Sequence, residues 1–332
     1  MKYFVTGATG FVGGALVRHL RAAGHDIVAL VRSPDKAGAL RALDVTLAPG
    51  DITDKDSLRE PMRGVDGVFH CAAWYKIGVP DAAADRINVD GTRHVLETMQ
   101  TLGVPKGVYT STIGIYSDSG GRELDETYDY SGPFLNAYEQ TKWRAHHEVA
   151  KPMMAAGLPL VIVQPSAVYG PDDTSGIGGA LRQYLKGTLA AVPAKTAFSM
   201  AYVDDVARGH AEAMTRGRVG ESYILSGPSH TMVDIFNMAE RITGIRAPSR
   251  HLSPAVVKAA AAAMGVVGAV ISLPDAYTAE SLRTIAGVTY LASHAKATRE
   301  LGYQARSLED GLRLTLAHEM RVLNLPVHPT SA

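Results

Sequence analysis

The chain has 332 residues, which fits one large domain or two modest ones. Hydrophobic residues make up 46% and charged residues 20%, an ordinary balance for a soluble globular protein. Lys plus Arg and Asp plus Glu each number 33 with no basic stripe, which argues against nucleic acid as a partner.

Met1 to Val5 is a short apolar run that breaks at Thr6-Gly7. A secretory signal needs a longer apolar core, so the run reads as a first strand, Lys2 to Thr6, of a cytoplasmic protein. Phe11 to Ala23 has a helical period, with Leu16, Val17 and Leu20 on one side. Strands follow at Asp26 to Val31, Val45 to Ala48 and Gly67 to His70. Cys71 is the chain's single cysteine, so it excludes an internal disulfide and fits a reducing compartment. It follows an apolar run and reads as a buried, inert thiol. Asp81 to Leu102 and Ala137 to Ala156 are long helices, each followed by a strand, Gly107 to Thr110 and Leu160 to Gln164. Strands alternating with helices predict βαβ units and a parallel sheet covered on both faces.

After Gly170-Pro171 the pattern loosens. Helices are expected at Val203 to Ala213, Val233 to Thr243 and Ser307 to Leu323. Val256 to Leu273 is nearly all Ala, Val, Gly, Met and Ile, broken by Lys258. A membrane span needs ~20 apolar residues, so the run reads as a buried or half-exposed helix, with no integral membrane span. Two other readings are a membrane-touching segment and an apolar wall or lid for a lipophilic substrate.

The sequence from Val5 to Gly13 has glycines at positions 7, 10 and 13, straight after a strand and opening a helix. Such a turn brings backbone close to a pyrophosphate and aims helix N–H groups at negative charge. Gly7, Thr9, Gly10, Phe11 and Val12 are the candidate contacts of this loop. The expected architecture is therefore α/β: a Rossmann-type doubly wound parallel sheet with a smaller, discontinuous C-terminal substrate lobe. Residues 1–170 would bind the nucleotide, with about 195–225 contributing, and 171–332 would mostly carry the substrate. The second strand ends in Arg32-Ser33-Pro34, with Lys36 nearby. A basic residue there accepts the 2′-phosphate of NADP, where an acid would bind the ribose hydroxyl of NAD, so NADP(H) is favoured over NAD(H). Asp51 would accept the adenine amino group or cap a helix starting near Asp54.

Tyr138 and Lys142 are four residues apart within a predicted helix, so they share a face. An ammonium beside a phenol would favour the phenolate and make Tyr138 an acid/base group. Ser111 or Thr112, after the fifth strand, would hold the substrate oxygen. Trp74 and Tyr75 follow the fourth strand, where ligands of such sheets bind. They would either line an aromatic pocket or pack between lobes. No metal ligands are expected.

With these motifs the chain resembles an extended short-chain dehydrogenase/reductase of the NAD(P)-dependent epimerase/dehydratase family, in the branch of dihydroflavonol reductases and hopanoid-associated sugar epimerases. The resemblance spans Thr6 to Gly13, Gly50-Asp51, His70 to Ala73, Asn88 to Thr92, Thr110 to Thr112, Tyr138 to Lys142, Pro165 to Pro171 and Tyr202 to Ala207. It implies Thr112, Tyr138 and Lys142 as catalytic residues. It implies that Asp51 and Ile52 flank adenine, that Ala72, Ala73 and Thr110 lie along the cofactor, and that Pro165, Ser166 and Val168 meet the nicotinamide carboxamide. It also implies that Asn88 supports the active-site helix, that Asp204 and Asp205 are structural, and that two copies dimerise through the long helices. Asp172 and Asp173 stand where many nucleotide-sugar members have a basic residue, which disfavours a sugar diphosphate.

The expected activity is NADPH-dependent reduction of a carbonyl on a hydrophobic or aromatic small molecule. The alternatives are a sugar or nucleotide-sugar epimerase or dehydratase on the same residues, and a non-catalytic NADP sensor.

Overall fold

The computed structural model describes residues 1–76, 82–268 and 278–326. Its central sheet begins with β1 (Lys2–Thr6), β2 (Asp26–Val31), β3 (Thr46–Pro49), β4 (Gly67–His70), β5 (Gly107–Thr110) and β6 (Leu160–Pro165). The smaller strands β7 (Ala167–Tyr169), β8 (Val192–Pro193) and β9 (Ala197–Tyr202) come next, and β10 (Ser222–Leu225) then returns to the large sheet. The order across that sheet is β3-β2-β1-β4-β5-β6-β10, with every neighbour parallel. The chain winds one way from β1 to β3 and the other way from β4 onward. The reversal leaves a crevice at the carboxyl ends of β1 and β4, where ligands of open α/β sheets sit.

Both faces of the sheet are buried, so its strands are apolar throughout, and the two-residue period decides which core each side chain enters. Tyr3 and Val5 of β1 join one core, with Leu16, Val17 and Leu20 of the helix Phe11–Ala22 and Val206 of the helix Val203–Arg216. Phe4 points the other way and packs with Leu58, Val95 and Met99. Residues from the second half of the chain thus complete one layer over the sheet. The remaining strands β11 (Ser229–Thr231), β12 (His251–Leu252) and β13 (Thr289–Tyr290) belong to the outer lobe. There β9 pairs with β7, β11 and β13, and β8 pairs with β12. The carboxylate of Asp205 binds Arg306 through both its oxygens, tying the helix Val203–Arg216 to the C-terminal segment.

The third strand lies one residue later than expected. Val45 closes a turn instead, its N–H bonded to the Leu40 carbonyl, while its side chain stays buried. The second long helix runs from Ala137 to Ala155 with a widened π-turn at Ala145–Ala150. That turn ends beside Pro152, which has no N–H to donate. The first long helix also widens, at Arg86–Asp90, between Ala83–Asp85 and Gly91–Thr101; its expected start at Asp81 lies outside the described residues. The apolar run forms the helix Pro254–Gly268, half-exposed, with Val257 and Ala261 buried. Residues 269–273 of that run lie outside the described residues. Among the described residues, no helix is long and apolar enough to cross a membrane.

The glycine turn is packed backbone on backbone. Gly7 has φ +74°, and a Cβ there would stand 2.6 Å from the Ala72 nitrogen. A Cβ on Gly13 would stand 2.2 Å from the Gly7 carbonyl oxygen. Gly13→Ala should therefore destabilise the fold by about 1–3 kcal/mol, as overpacking does, and urea unfolding followed by circular dichroism measures it.

Candidate active site

Thr6 ends β1, and its hydroxyl accepts from the Ala72 N–H just beyond β4 at 3.2 Å. Gly10 then serves as the N-cap of Phe11–Ala22 with no side chain on the cap. The first N–H groups of that helix are left to face outward, as the start of a helix leaves them. Thr9 and Gly10 are exposed, and Phe11 and Val12 half-buried. Arg32 and Lys36 are exposed beyond β2, with no acidic partner among the described residues. Asp51 does not cap a helix. Its Oδ1 accepts from the N–H and the hydroxyl of Thr53, both at 2.9 Å, and Asp54 accepts from Asp56 instead. Ile52 is buried against Gly91. Ala72 is half-buried and Ala73 exposed at the mouth of the crevice.

On the opposite wall, Pro165 ends β6, and the N–H of Ser166 bonds to Leu225. The Ser166 hydroxyl is buried without a partner, and Val168 is half-buried. A backbone cradle at Gly7, an open helix N-terminus and an orphaned hydroxyl across the crevice fit a dinucleotide cofactor.

Asn136 caps the helix Ala137–Arg144 by accepting from the Glu139 N–H. Glu139 is itself buried and accepts from Ser117, Leu135, Asn136 and Tyr290. These bonds fix the first turn, where Tyr138 sits. Asn88 holds the next turn, donating to the Thr141 hydroxyl at 2.9 Å and bonding the backbone of Trp74 in both directions.

Lys142 is 2% exposed. Its ammonium donates to the Tyr109 hydroxyl at 3.0 Å and to the Thr110 carbonyl at 2.7 Å, and lies over the Tyr109 ring. Burial pushes its pKa down to about 7. Burial pushes the Tyr138 phenol up, and the neighbouring Tyr75 adds to this, while the Thr112 hydroxyl acts in the opposite direction. The sequence reading, a phenol acidified directly by Lys142, differs from this arrangement. The two residues share a helix face, but Lys142 reaches into the end of β5 and spends its protons there.

The two hydroxyls after β5 part company. Ser111 turns inward to the His146 ring at 2.9 Å, whereas Thr112 stays half-buried and accepts from the Gly114 N–H at 3.0 Å. The Thr110 carbonyl accepts from Lys142, and its hydroxyl lies within bonding distance of the Cys71 sulfur at 3.3 Å and the His210 ring at 2.9 Å. Burial pushes the Cys71 thiol up to about 11, which suits an inert group. Trp74 is buried, whereas Tyr75 is 51% exposed, its ring edge-on to that of Tyr138 with centroids 4.8 Å apart. The Asp172–Asp173 pair also divides. Asp173 is buried and binds the Ser175 N–H and hydroxyl, while exposed Asp172 meets His318. The Asp173 carboxylate is thus engaged within its own turn.

Sequence reasoning missed Tyr109, Glu139 and Glu280; the Glu280 carboxylate accepts from the Ala137 N–H beside Tyr138. The spacing of Asn136 and Glu139 is a capping signal that could have been read. Tyr109 reads as an ordinary strand aromatic, and nothing local marks its hydroxyl. Beside that hydroxyl lies a buried chain: the His70 ring stacks on the Tyr109 ring, bonds Thr92 at 3.1 Å and bonds Thr6 at 2.7 Å. Burial holds His70 down to about 3, so it stays neutral.

This fold and site define an NAD(P)-dependent oxidoreductase of the extended short-chain dehydrogenase/reductase type. Residues 3–226 match the model of the NAD dependent epimerase/dehydratase family, and the chain belongs to that family. A protein from Synechocystis named as a dihydroflavonol 4-reductase is 36% identical over 255 residues, 74% of each chain. Sterol demethylase protein B of Methylococcus capsulatus is 33% identical over 264 residues, 78% of this chain and 79% of that one. A farnesyl-dihydroquinoline-oxide ketoreductase of Stigmatella aurantiaca is 30% identical over 322 residues, 92% of each. The crystal structure of gox2253 superposes with a TM-score of 0.85 at 33% identity, covering 98% of this chain and 99% of that one.

A lysine held at about 7 binds fewer protons folded than unfolded up to its ordinary value of 10.5. Stability therefore rises with pH across that window and is flat below it, where both states are protonated. The unfolding free energy of the wild type minus that of Lys142→Met should grow from pH 7 to pH 10. Parallel pH profiles from chemical denaturation would mean that Lys142 titrates normally.

Proposed function

We propose that this enzyme reduces a carbonyl group on an apolar or aromatic small molecule, using NADPH. The carrying observation is the cluster at the carboxyl ends of β4 and β5: Tyr138 between Thr112 and the exposed ring of Tyr75, with Lys142 fixed one turn further along. Bound in the crevice, the cofactor supplies a hydride to the carbonyl carbon. Thr112 donates a hydrogen bond to the carbonyl oxygen. Tyr138, held protonated by burial, gives that oxygen its proton. Lys142, with one ammonium proton left after Tyr109 and Thr110, would hold the nicotinamide ribose. Residues 1–170 with about 195–225 bind the cofactor, and 171–332 mostly carry the substrate lobe.

Gly7, Thr9, Gly10, Phe11 and Val12 hold the pyrophosphate, Asp51 and Ile52 the adenine, and Pro165, Ser166 and Val168 the carboxamide, with Ala72, Ala73 and Thr110 along its length. Arg32 and Lys36, exposed and without an ion-pair partner among the described residues, favour a 2′-phosphate. Tyr75 supplies an aromatic wall to the substrate, whereas Trp74 is buried. The names of three relatives, a dihydroflavonol 4-reductase, sterol demethylase protein B and a farnesyl-dihydroquinoline-oxide ketoreductase, support a lipophilic substrate. The two long helices pack side by side, and we propose that they form the interface of a homodimer.

A carbonyl screen with NADPH and NADH in parallel tests the reading. Tyr138→Phe should lower kcat by roughly 10²–10⁴-fold with cofactor binding retained; unchanged turnover would remove Tyr138 from the reaction. Arg32→Ala should raise KM for NADPH roughly tenfold or more, the worth of a charged hydrogen bond, and leave that for NADH nearly unchanged. The family also contains epimerases, which retain their cofactor through a cycle of oxidation and reduction. Turnover without net NADPH consumption would favour that second reading.

A further inference from the structure

We infer that the helix Pro254–Gly268 docks the enzyme on an anionic lipid bilayer. One side of this helix is anchored: Val257 and Ala261 are buried where it packs on the helix Ala279–Thr284. The other side presents Ala255, Val256, Ala259, Ala262, Ala263 and Val266 to solvent, with Val256 at 52% and Val266 at 73% exposure. An exposed apolar stripe of this length marks an interaction surface.

Charge selects the partner. From Arg241 to Pro274 the sequence contains no aspartate or glutamate. Arg241, Arg246, Arg250 and Lys258 are exposed in that stretch, and none has an acidic partner among the described residues. Lys195 joins them: β8 pairs with β12 beside it, and its side chain and Pro254 both flank Gly287. Elsewhere the surface cations commonly find carboxylates, as Arg144 and Arg218 do. A second copy seated face to face would bring these cations against one another, while Glu240, beside Arg241 in the chain, is already engaged by the Ala247 N–H. A bilayer rich in anionic lipid supplies both missing parts, an apolar layer for the alanines and valines and negative headgroups for the rim. At ~1.5 Å per residue the helix is about 22 Å long, too short to span and suited to lying in the interface.

The location ties this surface to the site. The helix Ala279–Thr284 that carries it also carries Glu280, bonded to the backbone next to Tyr138. A membrane-docked enzyme would hold its reacting centre one helix away from the lipid.

The test is sedimentation of the full chain with lipid vesicles. It should bind vesicles containing phosphatidylglycerol, bind pure phosphatidylcholine at least tenfold more weakly, and be released by salt. Val256→Asp/Val266→Asp and, separately, Arg246→Gln/Arg250→Gln should each weaken binding at least tenfold. All four positions are exposed, so the thermal unfolding curve should not move. Absence of binding at low salt, equal binding to both vesicle types, or full binding by the valine variant would overturn the inference. So would a dimer in solution that the valine variant dissociates while wild-type protein ignores vesicles, because the face would then belong to a second copy. None of these readouts depends on the enzyme's substrate, so this inference and the proposed reduction stand or fall separately.

Discussion

Lys142 carries an ammonium to a place that water scarcely reaches. Removing such a group from water is costly, and the cost is offset only where its donors are satisfied. Here two are met by the Tyr109 hydroxyl and the Thr110 carbonyl at the end of β5. The lysine therefore cannot move without breaking the strand end to which it is bound. This locks the helix Ala137–Arg144 against the sheet, and with it the height of Tyr138 above the crevice. Asn88 and Glu139 hold the same helix from its other sides.

A second set of buried bonds lies beside these. The His70 ring stacks on the Tyr109 ring and bonds Thr92 through one nitrogen and Thr6, the last residue before the glycine turn, through the other. The floors under the glycine turn and under the helix of Tyr138 and Lys142 are thus one buried layer, joined across β1, β4 and β5 by these bonds and by the stacked rings of His70 and Tyr109, at the point where the sheet reverses direction. A partly satisfied network in so dry a place would be destabilising. The neutral imidazole of His70, able to donate from one nitrogen and accept at the other, suits the centre of such a chain.

Much of this was legible locally. The strands through β6 and the first helix follow from apolar period and punctuation, and errors were of one residue, as where Val45 closes a turn rather than opening β3. The glycine turn was readable because close backbone packing leaves only one residue type possible, although the tightest positions are Gly7 and Gly13 rather than Gly10. The seven-strand order could not be read, because β10 reaches β6 from nearly sixty residues away. The local pattern left Ser111 and Thr112 open, and only the family resemblance pointed to Thr112. Adjacent hydroxyls have the same local pattern, and only the position of His146 turns one of them inward. Trp74 and Tyr75 differ in the same way, one buried and one beside Tyr138.

The sequence alone determined which chemistry the chain can host: a nucleotide-binding turn, a tyrosine and lysine on one helical face, and a hydroxyl after the fifth strand. These are short-range patterns, fixed by backbone geometry over a few residues. The tertiary structure alone decided how the charges are shared. The pairing of Lys142 with Tyr109 rather than Tyr138 and that of Asp205 with Arg306 depend on distances between segments remote in the chain. A side chain's period says which way it leaves the backbone, but what it meets there, and what that does to its proton, depends on the folded surroundings.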